Sequence, residues 1–213
     1  MYLTSFNSLE STPSQQEAVH SYDSTQLGAG VHYDYIFPER TTLAGFSKLR
    51  LFISCKEHDD LDVYVMLRKL SADGDLMEQS NIPLHELPLE VKSVEDVKNV
   101  SPCKYLGPVG MLRASHREYD VERSTEYWPF HTHQRAQYIA PGEVVELSIG
   151  IWPMGIVFEK GEGLRLLISG RDMRLPEWDN PHVAYKEPVL NKGTHNVHLG
   201  GQYAESYVLL PKV

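Results

Sequence analysis

Residues 61–67 read LDVYVML, and apolar side chains occupy every second position of this stretch. The apolar set is Leu61, Val63, Val65 and Leu67, and it alternates with Asp62, Tyr64 and Met66. Because successive side chains of a β-strand point to opposite faces, this period of two predicts a strand with one face in a hydrophobic core and a mixed opposite face. The same period recurs at residues 49–53, 145–151 and 164–168, and further strands are expected at 31–37 and 206–210.

Turn signals separate the predicted strands. Gly and Asp occur in short connections at residues 72–75, 140–143 and 160–163, where they supply the backbone angles that reverse a chain. Such connections favour antiparallel pairing, and helical periodicity is almost absent. The sequence therefore predicts an all-β sandwich that forms one domain over residues 1–213, with one long irregular loop at about residues 75–110.

Composition excludes several classes of function. The formal net charge is −9, and the 20 Lys and Arg residues are not clustered in runs, so a nucleic-acid partner is not expected. The chain begins without a secretory leader and contains no run of eighteen apolar residues, which predicts a cytoplasmic protein with no membrane partner. Cys55 and Cys103 have no metal or redox spacing and are expected to remain thiols in a reducing compartment.

The segment GPVGMLRASHREYD, at residues 107–120, is the most distinctive in the chain. It resembles a segment of the C-terminal, non-catalytic domain of CocE/NonD acyl hydrolases, which is related to the C-terminal domain of X-Pro dipeptidyl-peptidases. Six other segments agree with this family in the same order, at residues 2–9, 58–74, 124–133, 141–153, 158–170 and 193–211. The resemblance implies a jelly-roll sandwich of the galactose-binding-like class, packed beside an α/β-hydrolase core whose active site it helps to wall.

The sequence departs from these hydrolases because their catalytic core is missing. It contains no Gly-x-Ser-x-Gly motif, which presents the nucleophilic serine of such enzymes on a strand-to-helix turn. Ester hydrolysis by the family's triad is therefore not expected of this chain, which is either a free-standing protein or an excised domain. In a free-standing protein, the face that would pack on a hydrolase is expected to form a pocket or a homodimer interface.

Two neighbouring segments carry most of the candidate site residues. In the first, His116 and Arg117 combine charge with hydrogen-bonding capacity, although Arg117 could instead pair with Asp62 and hold a loop on the sandwich. The second is rich in aromatic and imidazole rings, which is typical of the wall of an organic-ligand pocket. Its members are Tyr127, Trp128, Phe130, His131 and His133. No carboxylate follows the two histidines closely enough to complete a metal site, so no metal is predicted.

Candidate residues also occur outside these two segments. Trp152 precedes Pro153 at the end of a predicted strand, where it and Trp178 would either bound a pocket mouth or pack in the core. His195 and His198 lie near the last strand and are interpreted as turn and packing residues.

Three hypotheses about function follow. The preferred one is a cofactor-independent enzyme of secondary metabolism that cyclises or isomerises a small hydrophobic organic molecule, for example in a pericyclic, Diels–Alder-type reaction. His131, Arg117 and His116 would be its catalytic residues. Its substrate would be bound by Tyr127, Trp128, Phe130, His133 and Trp152. The alternative is a non-catalytic accessory or substrate-binding domain of a CocE/NonD-type serine hydrolase, and the third hypothesis is a purely structural fragment.

Overall fold

The computed structural model describes residues 1–97, 103–173 and 190–213. Its strands follow in chain order as β1 (Tyr2–Leu3), β2 (Leu9–Glu10), β3 (Ala18–Asp23), β4 (Gly30–Ile36), β5 (Thr41–Cys55), β6 (Asp62–Leu70), β7 (Gln79–Ser80), β8 (Lys104–Tyr105), β9 (Val109–Arg113), β10 (Val145–Phe158), β11 (Gly163–Ser169), β12 (Thr194–Leu199) and β13 (Tyr207–Leu209). Short 3-10 turns lie at Leu84–Glu86 and Ala114–His116. No helix in these three ranges is long and apolar enough to cross a membrane.

The strands form two main antiparallel sheets. The first has the order β2-β1-β13-β5-β12-β3, and β10 pairs with the opposite edge of β5. Leu49 of β5 shows this arrangement, since it lies between Ile149 of β10 and Val208 of β13. The second sheet has the order β4-β11-β6-β9, and β7 pairs with β8 in a separate ribbon.

The hydrophobic core lies between the two sheets. In β6, Val63, Val65 and Leu67 are fully buried in this core, as the period of two predicts. The other predicted strands correspond to β5, β10, β11, β4 and β13, so the all-β sandwich of the jelly-roll class is confirmed. Phe158 at the end of β10 stacks on Phe37, with the ring centroids 4.5 Å apart, and this contact joins the sheets.

The opposite face of β6, where the pattern predicts a mixed environment, is buried as well. Met66 is fully buried, and Asp62 and Arg68 are less than one-tenth exposed, at 6% and 8%. Arg68 donates a hydrogen bond to the Met77 carbonyl at 3.3 Å, and Asp62 accepts one from the Leu190 N–H at 3.1 Å. The chain directly after β6 and the distant segment at Leu190 therefore both contact this face.

The predicted long loop contains more structure than expected. It includes the β7–β8 ribbon, in which Gln79 pairs with Tyr105. At Gly107, which has a φ of +143°, the chain passes so close to β6 that a Cβ would lie 1.9 Å from the Leu67 carbonyl oxygen. The predicted loop boundary at residue 110 is slightly too late, because β9 has already begun there and pairs with β6.

Of the two roles expected for His195 and His198, the turn is wrong, because both residues lie within β12, whereas packing is correct for the buried His195. His195 is fully buried, and its Nδ1 atom is 3.1 Å from the hydroxyl oxygen of Tyr22. Burial lowers the pKa of His195 to about 4, although nearby carboxylates act in the opposite direction. The imidazole is therefore a neutral part of the core at neutral pH.

We expect buried His195 to make the domain less stable in mild acid. The unfolded chain binds a proton on this imidazole with the ordinary pKa of 6.5, whereas the folded protein does so only near its pKa of about 4. The stabilisation by neutral His195 is complete above the pKa of the unfolded chain, 6.5. Up to about 3 kcal/mol of the free energy of unfolding is lost as the pH falls from there through the pKa of the folded protein, about 4. Urea unfolding followed from neutral pH to about pH 4 measures this loss.

A variant with one histidine fewer tests the assignment. His195→Gln is expected to reduce the slope of the free energy of unfolding against pH, because about one proton fewer is taken up on unfolding. His85→Gln is the matched control, because the His85 side chain is 78% exposed. Equal pH dependence in the His195→Gln variant and the wild type would show that another group is responsible.

Candidate functional site

Most predicted site residues lie on one irregular segment, residues 114–137, called the site hairpin below. It leaves the second sheet at the end of β9 and folds back on itself at an isolated bridge between Tyr119 and His131. The Asp120 N–H donates a hydrogen bond to the Phe130 carbonyl at 2.9 Å and closes this bridge. The bridge brings the two predicted segments of candidate residues side by side.

Three imidazoles come together on the site hairpin. The ring centroid of His133 lies 5.2 Å from that of His116 and 6.2 Å from that of His131. His133 has a φ of +52°, in the left-handed region that non-glycine residues seldom adopt and that recurs at functional sites. Within the described residues, no group of three or more His, Cys, Asp or Glu side chains is arranged to hold a metal ion.

His131 is fixed by the edge of β10 that faces away from β5. Its Nε2 atom lies 3.0 Å from the Ser148 carbonyl oxygen, which can only accept, so Nε2 carries the proton. Its Nδ1 atom is then an acceptor, and it is buried without a hydrogen-bond partner among the described residues. Burial lowers the pKa of His131, which keeps the ring neutral at neutral pH. This lone pair is therefore closed to a substrate in the conformation described.

The carboxylate of Asp62 is paired with Arg113, whereas the sequence suggested Arg117. Asp62 and Arg113 face each other across β6 and β9, and Arg113 donates to both carboxylate oxygens, at 2.7 and 3.0 Å. Arg117 instead donates to the backbone carbonyls of Ala114 and Gln137. It therefore holds together the two ends of the site hairpin.

The aromatic side chains of the site hairpin contact different parts of the protein. The Trp128 ring lies against Gly150 of β10, where a Cβ would be 2.9 Å from two ring carbons, and its centroid is 5.1 Å from that of Phe46. Phe130 is covered by the Arg123 guanidinium, 3.6 Å from the ring centroid. Tyr127 is half-buried next to Trp128 in the chain. These rings do not form one continuous wall.

Trp152 lies elsewhere, at a bulge in β10. The register against β5 shifts between Ile151 and Met154, so that Trp152 and Pro153 together oppose one residue. Trp152 is 64% exposed and lines an open groove of about 450 Å³. Pro153, Asn81 and residues 104–109 complete the described lining, and the volume lies in the range of organic-ligand sites. Trp178 lies outside the described residues.

A second depression, of about 260 Å³, shares Tyr105, Leu106 and Gly107 with the Trp152 groove. Lys104 belongs to the wall of the Trp152 groove, and Glu78 belongs to the wall of the second depression. The Lys104 ammonium is 2.8 Å from one oxygen of Glu78, and the Arg68 guanidinium is 3.7 Å from the other.

Sequence reasoning found Trp152 but missed the charges beside it. The Trp-Pro pair after a strand was the local signal for Trp152. Lys104 and Glu78 are 26 residues apart, and nothing in the sequence near either one indicates that they meet.

These features define an antiparallel β-sandwich with an irregular hairpin at one sheet edge and an open groove beside it. The chain belongs to the family of X-Pro dipeptidyl-peptidase C-terminal non-catalytic domains, whose model matches residues 3–208. This match confirms the resemblance noted at residues 107–120. A comparison with curated protein sequences finds no significant relative.

Solved structures agree with this family. A CocE/NonD family hydrolase from Staphylococcus aureus is similar with a TM-score of 0.83 and 27% identity, over 100% of this chain and 35% of the hydrolase. An aminopeptidase from the marine sediment archaeon Thaumarchaeota archaeon has a TM-score of 0.61 and 14% identity, over 100% of this chain and 36% of the aminopeptidase, which shows a common fold. The chain thus spans about a third of the length of these structures.

Proposed function

We propose that this chain is a non-catalytic accessory domain that packs beside the catalytic domain of a CocE/NonD-type serine hydrolase. The observation that carries the proposal is the match of the whole chain to about a third of the Staphylococcus aureus hydrolase. The absence of a Gly-x-Ser-x-Gly motif from the sequence agrees with a role that leaves bond cleavage to another domain. In this role the domain stabilises the catalytic domain and helps to bound its active site.

No comparison supports the cyclase or isomerase hypothesis, and the family match favours the accessory-domain alternative. The arrangement of the site hairpin agrees with this preference, because Arg117 is engaged by backbone carbonyls and the Nδ1 atom of His131 is closed to solvent. Catalysis by the Nδ1 atom of His131 would require the hairpin to open.

A domain exchange in the Staphylococcus aureus hydrolase tests the proposal. The matched third of that enzyme is replaced by this chain, and hydrolysis of p-nitrophenyl butyrate is compared with that of the intact enzyme and of the enzyme lacking the third. We expect the truncated enzyme to be insoluble or inactive. The hybrid is expected to be soluble and to retain kcat/KM within about tenfold of the intact enzyme. A larger loss is expected if the exchanged domain bounds the active site wrongly, because a displacement of about 1 Å there can cost about a hundredfold.

A hybrid that carries an unrelated β-sandwich of similar size is the matched control. It should behave as the truncated enzyme does, because it lacks a complementary surface. The proposal fails if the hybrid with this chain folds, as judged by circular dichroism, but is no more active than the truncated enzyme.

A further inference from the structure

We propose that the Trp152 groove binds a small carboxylate that carries an aromatic or aliphatic tail. This inference goes beyond the accessory role, because it concerns a ligand of this domain and requires no catalytic domain. It depends on the lining of the groove and on the distribution of charge around Lys104.

The apolar part of the groove is suited to the tail of such a ligand. Trp152 and Tyr105 are large aromatic residues that remain 64% and 37% exposed. Trp152 is held outward by the bulge, and Pro153 and Pro108 add apolar surface beside it. Aromatic surface of this kind favours ligands that can cover it and remove it from water.

Lys104 is the charged side chain in the described lining of the groove. Its side chain is 7% exposed, and its ammonium has three donors, of which one is directed to Glu78. Glu78 belongs to the wall of the second depression and is absent from the described lining of the Trp152 groove. Two donors of the ammonium remain beyond the bond to Glu78, and in our proposal one of them binds an anion in the Trp152 groove.

Within the part of the chain that the structure describes, the charges around Glu78 do not balance. Arg68, with a 9% exposed side chain, and Lys104 share this one carboxylate. Arg165, which also acts on Arg68, is already paired with Asp34 at 2.7 Å. The exposed carboxylate of Glu95 also attracts Lys104, and solvent weakens this attraction. Among the described residues, these two nearly buried cations have one carboxylate in ion-pair contact. This arrangement favours a second anion, because charge interactions strengthen away from water.

Binding of a matched pair of probes to this chain tests the proposal. The acid is 3-phenylpropionate and the neutral analogue is 3-phenylpropan-1-ol, and the dissociation constant of each is measured by isothermal titration calorimetry. We expect the acid to bind about tenfold more tightly than the alcohol, the effect of one charge-assisted hydrogen bond. Equal affinities for the two probes, or no binding of either at millimolar concentration, would overturn the proposal.

Two variants separate the roles of charge and ring. Lys104→Met is expected to weaken the acid to the affinity of the alcohol and to leave the alcohol unchanged, so the alcohol reports whether the groove is intact. Trp152→Ala is expected to weaken both probes. Lys56→Met and Phe6→Ala are matched controls at exposed positions. Unchanged binding in Trp152→Ala would place the probes elsewhere and refute the assignment, even if Lys104→Met proves unstable.

Discussion

Replacement of Gly110 by alanine is expected to lower the free energy of unfolding by about 3 kcal/mol, through overpacking at the junction of the two sheets. A Cβ at Gly110 of β9 would lie 2.3 Å from the carbonyl oxygen of Gly150 in β10 and 3.1 Å from Val65. Because the first of these contacts is with backbone, no side-chain rotation can relieve it. The strands β9 and β10 must separate instead, and this would also widen the Trp152 groove.

Urea unfolding of Gly110→Ala and Gly155→Ala measures this effect. Gly155 is the matched control because it lies in a strand, β10, and a Cβ there would meet no atom within 4 Å. We expect Gly155→Ala to change the free energy of unfolding by less than about 1 kcal/mol. Similar values for the two variants would show that the sheets are not in close contact at Gly110.

The second large effect is expected at Asn191, which is 8% exposed and holds three backbone groups. Its side-chain oxygen accepts a hydrogen bond from the Asp62 N–H at 2.8 Å. Its side-chain nitrogen donates to the carbonyls of Asp62 and Gly170, at 3.1 and 2.6 Å. Asn191→Ala would leave all three groups buried without this partner, and we expect a loss of about 3 kcal/mol or more.

Thermal unfolding and urea unfolding of Asn191→Ala test this expectation. Asn196→Ala is the matched control, since Asn196 is half-buried and accepts one hydrogen bond from the Ser21 hydroxyl. It is expected to cost about 1 kcal/mol or less. If Asn191→Ala lowers the free energy of unfolding no more than Asn196→Ala does, water must replace the side-chain amide of Asn191. The three backbone groups would then be open to solvent.

The fold could be predicted from the sequence where the signal lies in neighbouring residues. The period of two in residues 61–67 predicted which side chains of β6 enter the core, because strand geometry alone determines that choice. The family was predicted from residues 107–120 and six other segments in the same order, because each of these can be recognised from neighbouring residues alone.

Long-range pairing was not predictable in the same way. Arg113 and Arg117 are four residues apart and chemically equal, and only the register of β9 against β6 places Arg113 opposite Asp62. The bulge in β10 is defined by the register of β10 against β5. This bulge determines the orientation of Trp152. Both features depend on partners that are distant along the chain.

The bulge in β10 also bears on how the domain behaves in concentrated solution. Strands at the border of a sheet can recruit strands of neighbouring molecules and aggregate. β10 is 14 residues long and would be vulnerable, but Pro153 offers no N–H, and the Ser148 carbonyl is already occupied by His131. Intermolecular strand addition would therefore meet an interrupted row of donors and acceptors, which protects the domain from fibril-like association.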